Sequence, residues 1–275
     1  MAYVVKADGK KERFSRAKVI RTCRKLGASR RMADEVASRI EEDVYDGIST
    51  RKILDLIHDY LAELKPAVKH RVDLRTAISR MRPKPDFELF VRTLLQEHGF
   101  TVGSERRVRG RCIRYEVDAV ASRDGETLFV EVKHHYKPHT YTTLPVCLET
   151  KAKLDDLRAG FEDGLNESWF DRALVVCNTK FTQHARRYSE CVGIEHIGWN
   201  TPKKTSLERL IESSRLYPVA LLRDLDQPTL SALSDRGVVL LRELLELGDE
   251  EVSKRTGLPL QRSVELRRAA RGISG

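Results

Sequence analysis

No apolar run in this chain reaches membrane-spanning length, which excludes a helical membrane protein. Its five cysteines, Cys23, Cys112, Cys147, Cys177 and Cys191, form no C-x-x-C pair and are odd in number. That pattern argues against both a disulfide framework and a structural zinc site. Neither G-x-x-x-x-G-K-[ST] nor G-x-G-x-x-G occurs, so a hydrolytic P-loop has no support. The opening Met1-Ala2-Tyr3-Val4-Val5-Lys6 lacks the apolar centre of a signal peptide. The expectation is a cytoplasmic protein with no membrane partner.

What is present is positive charge. The 275 residues carry a net charge of +9, which favours a polyanionic partner. The length suits two or three domains. Residues 1–82 hold 20 Lys and Arg against 12 Asp and Glu, so nearly the whole excess sits in the first of them. There Tyr3 to Phe14 reads as two short strands around Asp8-Gly9. Ser15 is placed to cap a helix with Val19, Ile20, Cys23 and Leu26 at helical spacing. A second helix carries Met32, Val36, Ile40 and Val44. Ser49 or Thr50 can cap a third through Leu64, and a fourth follows Pro66 to about Met81.

The pieces Val5-Lys6-x-Asp8-Gly9-x-x-Glu12-x-Phe14, Lys18-Val19, Tyr45-Asp46-Gly47-Ile48-Ser49-Thr50 and Leu74-x-x-Ala77-Ile78 resemble the ATP-cone, a nucleotide-binding regulatory module. The resemblance covers residues 1–82. It implies binding and sensing of ATP or dATP, with Lys6 and Lys18 neutralising phosphates, Thr50 supplying a hydroxyl at a helix N-terminus, and Arg80 or Arg82 adding charge. One departure is Ala7, where the family has Arg. The plainer alternative is a basic helical domain touching DNA backbone.

Met81-Arg82-Pro83-Lys84-Pro85 breaks the chain, because two prolines in three residues forbid a continuous helix. Asp86 can then cap a helix with Phe87, Phe90, Val91, Leu94 and Leu95 on one stripe and Glu88 off it. A basic run, Arg106 to Arg111, leads to two strands, Tyr115–Ala121 and Leu128–Lys133, around an Asp124-Gly125 turn. A symmetric turn sets Asp118 opposite Glu131. Alternation puts Asp118, Glu131 and Lys133 on one face, and Val117, Ala119, Val130 and Val132 on the other. Two facing carboxylates call for a cation between them, and a hard divalent ion such as Mg²⁺ or Mn²⁺ suits oxygen ligands.

Asp118 with Glu131-Val132-Lys133 resembles the D…E-x-K site of the PD-(D/E)XK nucleases, the restriction-endonuclease-like fold. That resemblance implies Asp118 and Glu131 as metal ligands and Lys133 as the residue acting on water and phosphate. In the Mrr-like subgroup the Glu of a Phe-Glu pair on the first helix reaches the metal, which makes Glu88 an auxiliary catalytic candidate. A Glu in a first helical turn is also favoured by the dipole alone, and both readings stand. The apolar run Ala173–Cys177, the helix opened by Phe181-Thr182-x-x-Ala185 and a strand in Gly193–Trp199 match the later part of that domain, over residues 86–200. His134, His135 and His139 fit no standard zinc spacing and read as loop residues.

Residues 201–275 give short helical phrases with Gly237 and Gly257 between them, and resemble a helix-hairpin-helix module. DNA backbone binding and protein docking both fit it. The fold expectation is multidomain α+β: a helical ATP-cone with a small β-hairpin, an α/β core with a mixed sheet, and an all-α module. The functional expectation is a Mg²⁺-dependent DNA endonuclease regulated by ATP or dATP, with DNA as partner and a homodimer suited to double-strand cutting. The rival readings are a non-catalytic nucleotide-responsive DNA-binding regulator and a structure-specific repair nuclease.

Overall fold

A computed structural model describes residues 2–6, 9–64, 72–103, 106–223 and 225–274. Asp8 of the first turn and Pro66, expected ahead of the fourth helix, lie outside these residues. In the N-terminal unit β1 (Tyr3–Val5) pairs antiparallel with β2 (Lys11–Arg13), as expected of two short adjacent strands. Helices α1 (Arg16–Lys25) and α2 (Arg30–Asp43) follow. Next, β3 (Ile48–Ser49) adds a parallel strand beside β1, a pairing not foreseen from sequence. Ser49 Oγ accepts from Lys52 N at 3.1 Å, capping α3 (Thr50–Leu64). Val4, Val19, Cys23, Val36, Ile40 and Ile57 close the core that these elements share.

The fourth helix, α4 (Leu74–Ser79), does not join that core. Leu74, Ala77 and Ile78 pack in a second core with Phe87 and Phe90 of the next unit and Val219 and Leu221 of the C-terminal one. Among the described residues the expected four-helix base therefore holds three helices, and the fourth serves as a joint. Asp86 does not cap the following helix either. Its carboxylate accepts from Arg82 at 2.9 and 3.0 Å and from Ser234, and a short π-type turn, Pro83–Phe87, leads into α5 (Glu88–Glu97).

The central sheet has the order β12-β10-β8-β7-β4. Here β4 is Thr101–Gly103, β7 Ala119–Arg123 and β8 Glu126–Lys133, with β10 (Arg172–Cys177) and β12 (Glu195–Ile197) parallel to β8. The sheet is mixed, as expected, because β4 and β7 run antiparallel. Apart from it, β5 (Arg106–Arg109) pairs with β6 (Arg114–Val117), and β9 (Tyr141–Thr142) with β11 (Lys180–Phe181). Helices α6 (Leu144–Glu162) and α7 (Gln183–Val192) cover one face over Phe129, Val175 and Cys177. The other face, with Ala119, Val130 and Val176, joins the second core.

The C-terminal residues form α8 (Leu207–Ser214), α9 (Gln227–Ser234), α10 (Leu241–Glu246), α11 (Asp249–Thr256) and α12 (Leu260–Ser274). Their leucines Leu230, Leu233, Leu241 and Leu244 bury in the second core, so the apolar face of this module packs within the protein. Among the described residues no helix is long and apolar enough to cross a membrane.

Candidate active site

The turn about Asp124-Gly125 sets the register: Asp124 and Gly125 both have positive φ, and Ala119 faces Val130 as a symmetric hairpin demands. At Asp118 the chain leaves that ladder. β6 turns away to pair with β5, so Val117 faces the core with Phe129 instead of sharing the face of Ala119 and Val130. This corrects the simple alternation, and it gives Asp118 a different role. Released from cross-strand pairing, its Oδ2 accepts from Val132 N at 2.7 Å. The lone acid is thereby hydrogen-bonded to the backbone between Glu131 and Lys133.

Glu131 holds two cations. Oε1 accepts from Lys133 Nζ at 2.7 Å and Oε2 from Lys153 Nζ at 3.0 Å. Lys153 also donates to the Glu116 carbonyl and lies near the rings of Phe129 and Tyr115. On the other side Lys84 Nζ is 2.6 Å from Glu116, 3.2 Å from Glu88 and 3.6 Å from Asp118. Glu88 and Asp118 are buried, while Lys84 and Glu116 form the open rim. The structure thus brings all four expected residues, Glu88, Asp118, Glu131 and Lys133, into one cluster. Cys177 is the partner of Lys133 in the parallel ladder, so the cluster lies at the carboxyl ends of β8 and β10.

Electrostatics separates the acids. Burial pushes the Asp118 carboxyl up, only partly countered by the Val132 N–H. Burial acts on Glu131 too, but Lys153 and Lys133 outweigh it and hold that carboxyl below its usual range. For Lys133, burial opposes the charged form, yet the bond to Glu131 prevails and raises its pKa. Hydrogen bonding to Glu116, then to Glu88, likewise raises Lys84. The donor set is of hard carboxylate oxygens without sulfur, which fits Mg²⁺ or Mn²⁺ in preference to softer ions. Among the described residues no three His, Cys, Asp or Glu side chains converge as a preformed metal cage; the lysines supply the balancing charge.

Sequence reasoning passed over Lys84, Glu116 and Lys153. For Lys153 a signal existed: it lies beside the buried stripe Cys147, Thr150, Leu154 and Leu157 of α6, where a lysine needs a partner. Glu116 alternates with Asp118 along the strand. Lys84 gave none, being a lysine between two prolines. The histidines act as structural groups: His134 Nε2 meets the Ile78 carbonyl at 3.0 Å and His135 Nε2 the Thr142 hydroxyl at 3.2 Å. In the basic run Arg111 pairs with Asp163.

In the N-terminal unit a cavity of about 270 Å³ opens between β1, β2, α1 and α3. Val4, Phe14, Ile53 and Ile57 give it an apolar wall, and Lys18 and Thr50 line it with Glu12. Glu12 bridges the ammonium groups of Lys18 and Lys6, each at 2.7 Å, and they hold its carboxyl below the usual range, Lys18 most strongly. Arg82 is not among the lining residues. Its guanidinium binds Asp86, Ser234 and Asp235 instead. Arg80 donates to the carbonyls of Ala220, Leu222 and Leu225.

Comparison with known proteins follows the same division. The ATP cone domain family matches residues 2–79, and the family described as restriction endonuclease matches residues 78–197. An uncharacterized protein of Archaeoglobus fulgidus is 36% identical over 182 residues, 66% of this chain and 98% of its own length. A second uncharacterized protein of that organism is 49% identical over 41 residues, 15% of this chain and 87% of its own length. The crystal structure of a protein of unknown function superimposes with a TM-score of 0.58 at 35% identity, covering 69% of this chain and 97% of that one. With the two matches adjoining in chain order and a relative aligned over nearly its full length, the chain belongs to the family in which an ATP cone domain precedes a restriction endonuclease-like catalytic domain.

Proposed function

We propose that the protein is a divalent-metal-dependent DNA endonuclease whose activity responds to ATP or dATP bound by the cone. In this reading residues 1–82 form the nucleotide-binding unit, 86–200 the nuclease and 201–275 the helical module. The observation that carries it is the bond from Val132 N to Asp118 Oδ2, because it holds a lone acid against an E-x-K strand from fourteen residues away.

Asp118 and Glu131 would hold the ion, with Glu88 as auxiliary acid. When bound, the ion polarises a phosphoryl oxygen and lowers the pKa of a water. Glu131 stays ionised because Lys133 and Lys153 flank it, so its oxygens are ready as ligands near neutral pH. Of the two lysines on Glu131, Lys133 is the more open. Its ammonium orients the attacking water and offsets charge on the phosphate in the transition state. Lys153 acts from behind, fixing the direction of the Glu131 carboxylate. In the cone, the apolar wall suits an adenine base, and Lys18, Lys6 and Thr50 suit its phosphates. One site per chain makes a homodimer the natural arrangement for cutting both strands.

One observation favours the non-catalytic reading: Lys84, Lys133 and Lys153 already balance the acids without a metal. Titration calorimetry with Mn²⁺ decides between them. Binding by the wild type that is lost in Asp118→Asn supports the nuclease, and no binding by the wild type supports the regulator.

A further inference from the structure

A second cleft, of about 780 Å³, separates the cone from the catalytic domain. Its walls carry Arg21, Arg24 and Lys25 of α1, Arg75 of α4, Lys180 of β11 and Arg209 of α8. Six cations face two carboxylates, Glu208 and Glu212, and Lys25 takes Glu208. Among the described residues no acidic side chain pairs with Arg21, Arg24, Lys180 or Arg209. Arg75 lies over Trp199 at 5.8 Å with its Nη1 3.3 Å from His139 Nδ1, and its buried Nε has no hydrogen-bond partner. Unpaired cations crowded in a half-enclosed space repel one another, and an anion relieves that repulsion.

We infer that this cleft binds the phosphodiester backbone of the nucleic-acid strand running off the catalytic site. The inference rests on the nuclease reading above and adds the path of the substrate to it. Position is the first argument. Lys180 lies three residues beyond Cys177, the ladder partner of Lys133. The loop after Lys133 brings Pro138 and His139 into an adjoining cavity of about 340 Å³, which shares Arg75 and Trp199 with the cleft. The basic surface therefore begins beside the catalytic end of β8 and β10.

Chemistry is the second argument. The cone cavity uses Lys18 and Thr22 of α1 and offers a base an apolar wall. The cleft uses Arg21, Arg24 and Lys25 from the last turns of the same helix, and its cations come from both domains. Many separate cations without a base pocket suit repeated phosphates, which fix a strand without reading its sequence. A strand held there touches α1 on the face next to the nucleotide cavity, so occupancy of one bears on the other.

The test is DNA binding by the full chain across a salt series, with Ca²⁺ replacing Mg²⁺ to prevent cutting, for the wild type and the double variant Arg24→Gln/Arg209→Gln. Both side chains are exposed, and equal thermal melting of the two proteins checks their folding. The expected result is weaker binding, with a log–log salt slope smaller by about 1.8, or about 0.9 for each phosphate contact removed. DNA binding with unchanged affinity and slope overturns the cleft while leaving the nuclease reading intact. No DNA binding by the wild type overturns both. Loss of ATP binding alone in the variant overturns the backbone assignment and gives the cleft to a free nucleotide.

Discussion

Asp118 and Glu131 are carboxylates of similar burial whose proton affinities move apart, and the difference comes from their neighbours. Glu131 has two ammonium groups in contact; Asp118 has one backbone N–H and a more distant Lys84. Because the folded state raises the Asp118 pKa, this group favours folding below the pH at which the unfolded carboxyl titrates, and that contribution is lost as pH rises. Asp118→Asn should therefore raise the melting temperature of the metal-free protein at pH 7 while abolishing Mn²⁺ binding, and the gain should shrink as pH falls below the ordinary carboxylate range. An unaltered or lower melting temperature at pH 7 contradicts this account. Glu131 has the opposite sign: its depressed pKa keeps it charged at lower pH. Lys153→Met removes one flanking cation, so Glu131 should protonate at higher pH and the acid limb of metal-dependent cleavage should move upward. A pH–rate profile with an unmoved limb would sink the positioning role of Lys153.

At the scale of elements, α4 and the Asp118 break decide the architecture. Ile78 is fully buried among side chains from three parts of the chain. Ile78→Ala should destabilise by about 2–5 kcal/mol in a single transition shared by α4, the catalytic unit and the C-terminal helices, read by denaturant unfolding. Separate transitions for the catalytic unit and the helical module would argue against a common core. On α6, an added Cβ at Gly160 would stand 2.7 Å from the Gly110 backbone. Gly160→Ala should displace the β5–β6 hairpin at a cost of about 1–3 kcal/mol.

Much of this was legible beforehand. The symmetric Asp124-Gly125 turn gave the correct register of β7 and β8. Less visible were features that depend on long-range partners. Nothing local shows that Asp86 is taken by Arg82 and Ser234, that Leu74 and Ile78 face away from the cone, or that the strand leaves its ladder at Asp118. The same holds at the site: E-x-K is contiguous and legible, whereas Lys84 and Lys153 arrive from a linker and a distant helix.

For the whole molecule, the boundary of the ATP cone family match and the boundary of the cores differ. The match runs to residue 79 and includes α4, but the side chains of α4 bury in the catalytic and C-terminal core. A nucleotide that shifts α1 or α3 can therefore act on the nuclease through the chain leading to α4, provided it binds one arrangement better than another. From α4 the path is short: Arg82 ties the linker to Ser234 and Asp235, and Lys84, two residues on, contacts Glu88, Glu116 and Asp118. Lys18→Ala should weaken ATP binding and, with it, any dependence of cleavage on ATP, measured on the same preparation.

The most direct test is cleavage of supercoiled and linear duplex DNA in Mg²⁺ or Mn²⁺, with and without ATP, by the wild type and Lys133→Ala. The expected result is cleavage by the wild type whose rate changes with ATP, and a loss of about 10²-fold or more in the variant, as for removal of a charge-stabilising donor. Equal cleavage by both proteins, or none by the wild type with metal and ATP bound, would contradict the assignment of this cluster as the nuclease centre.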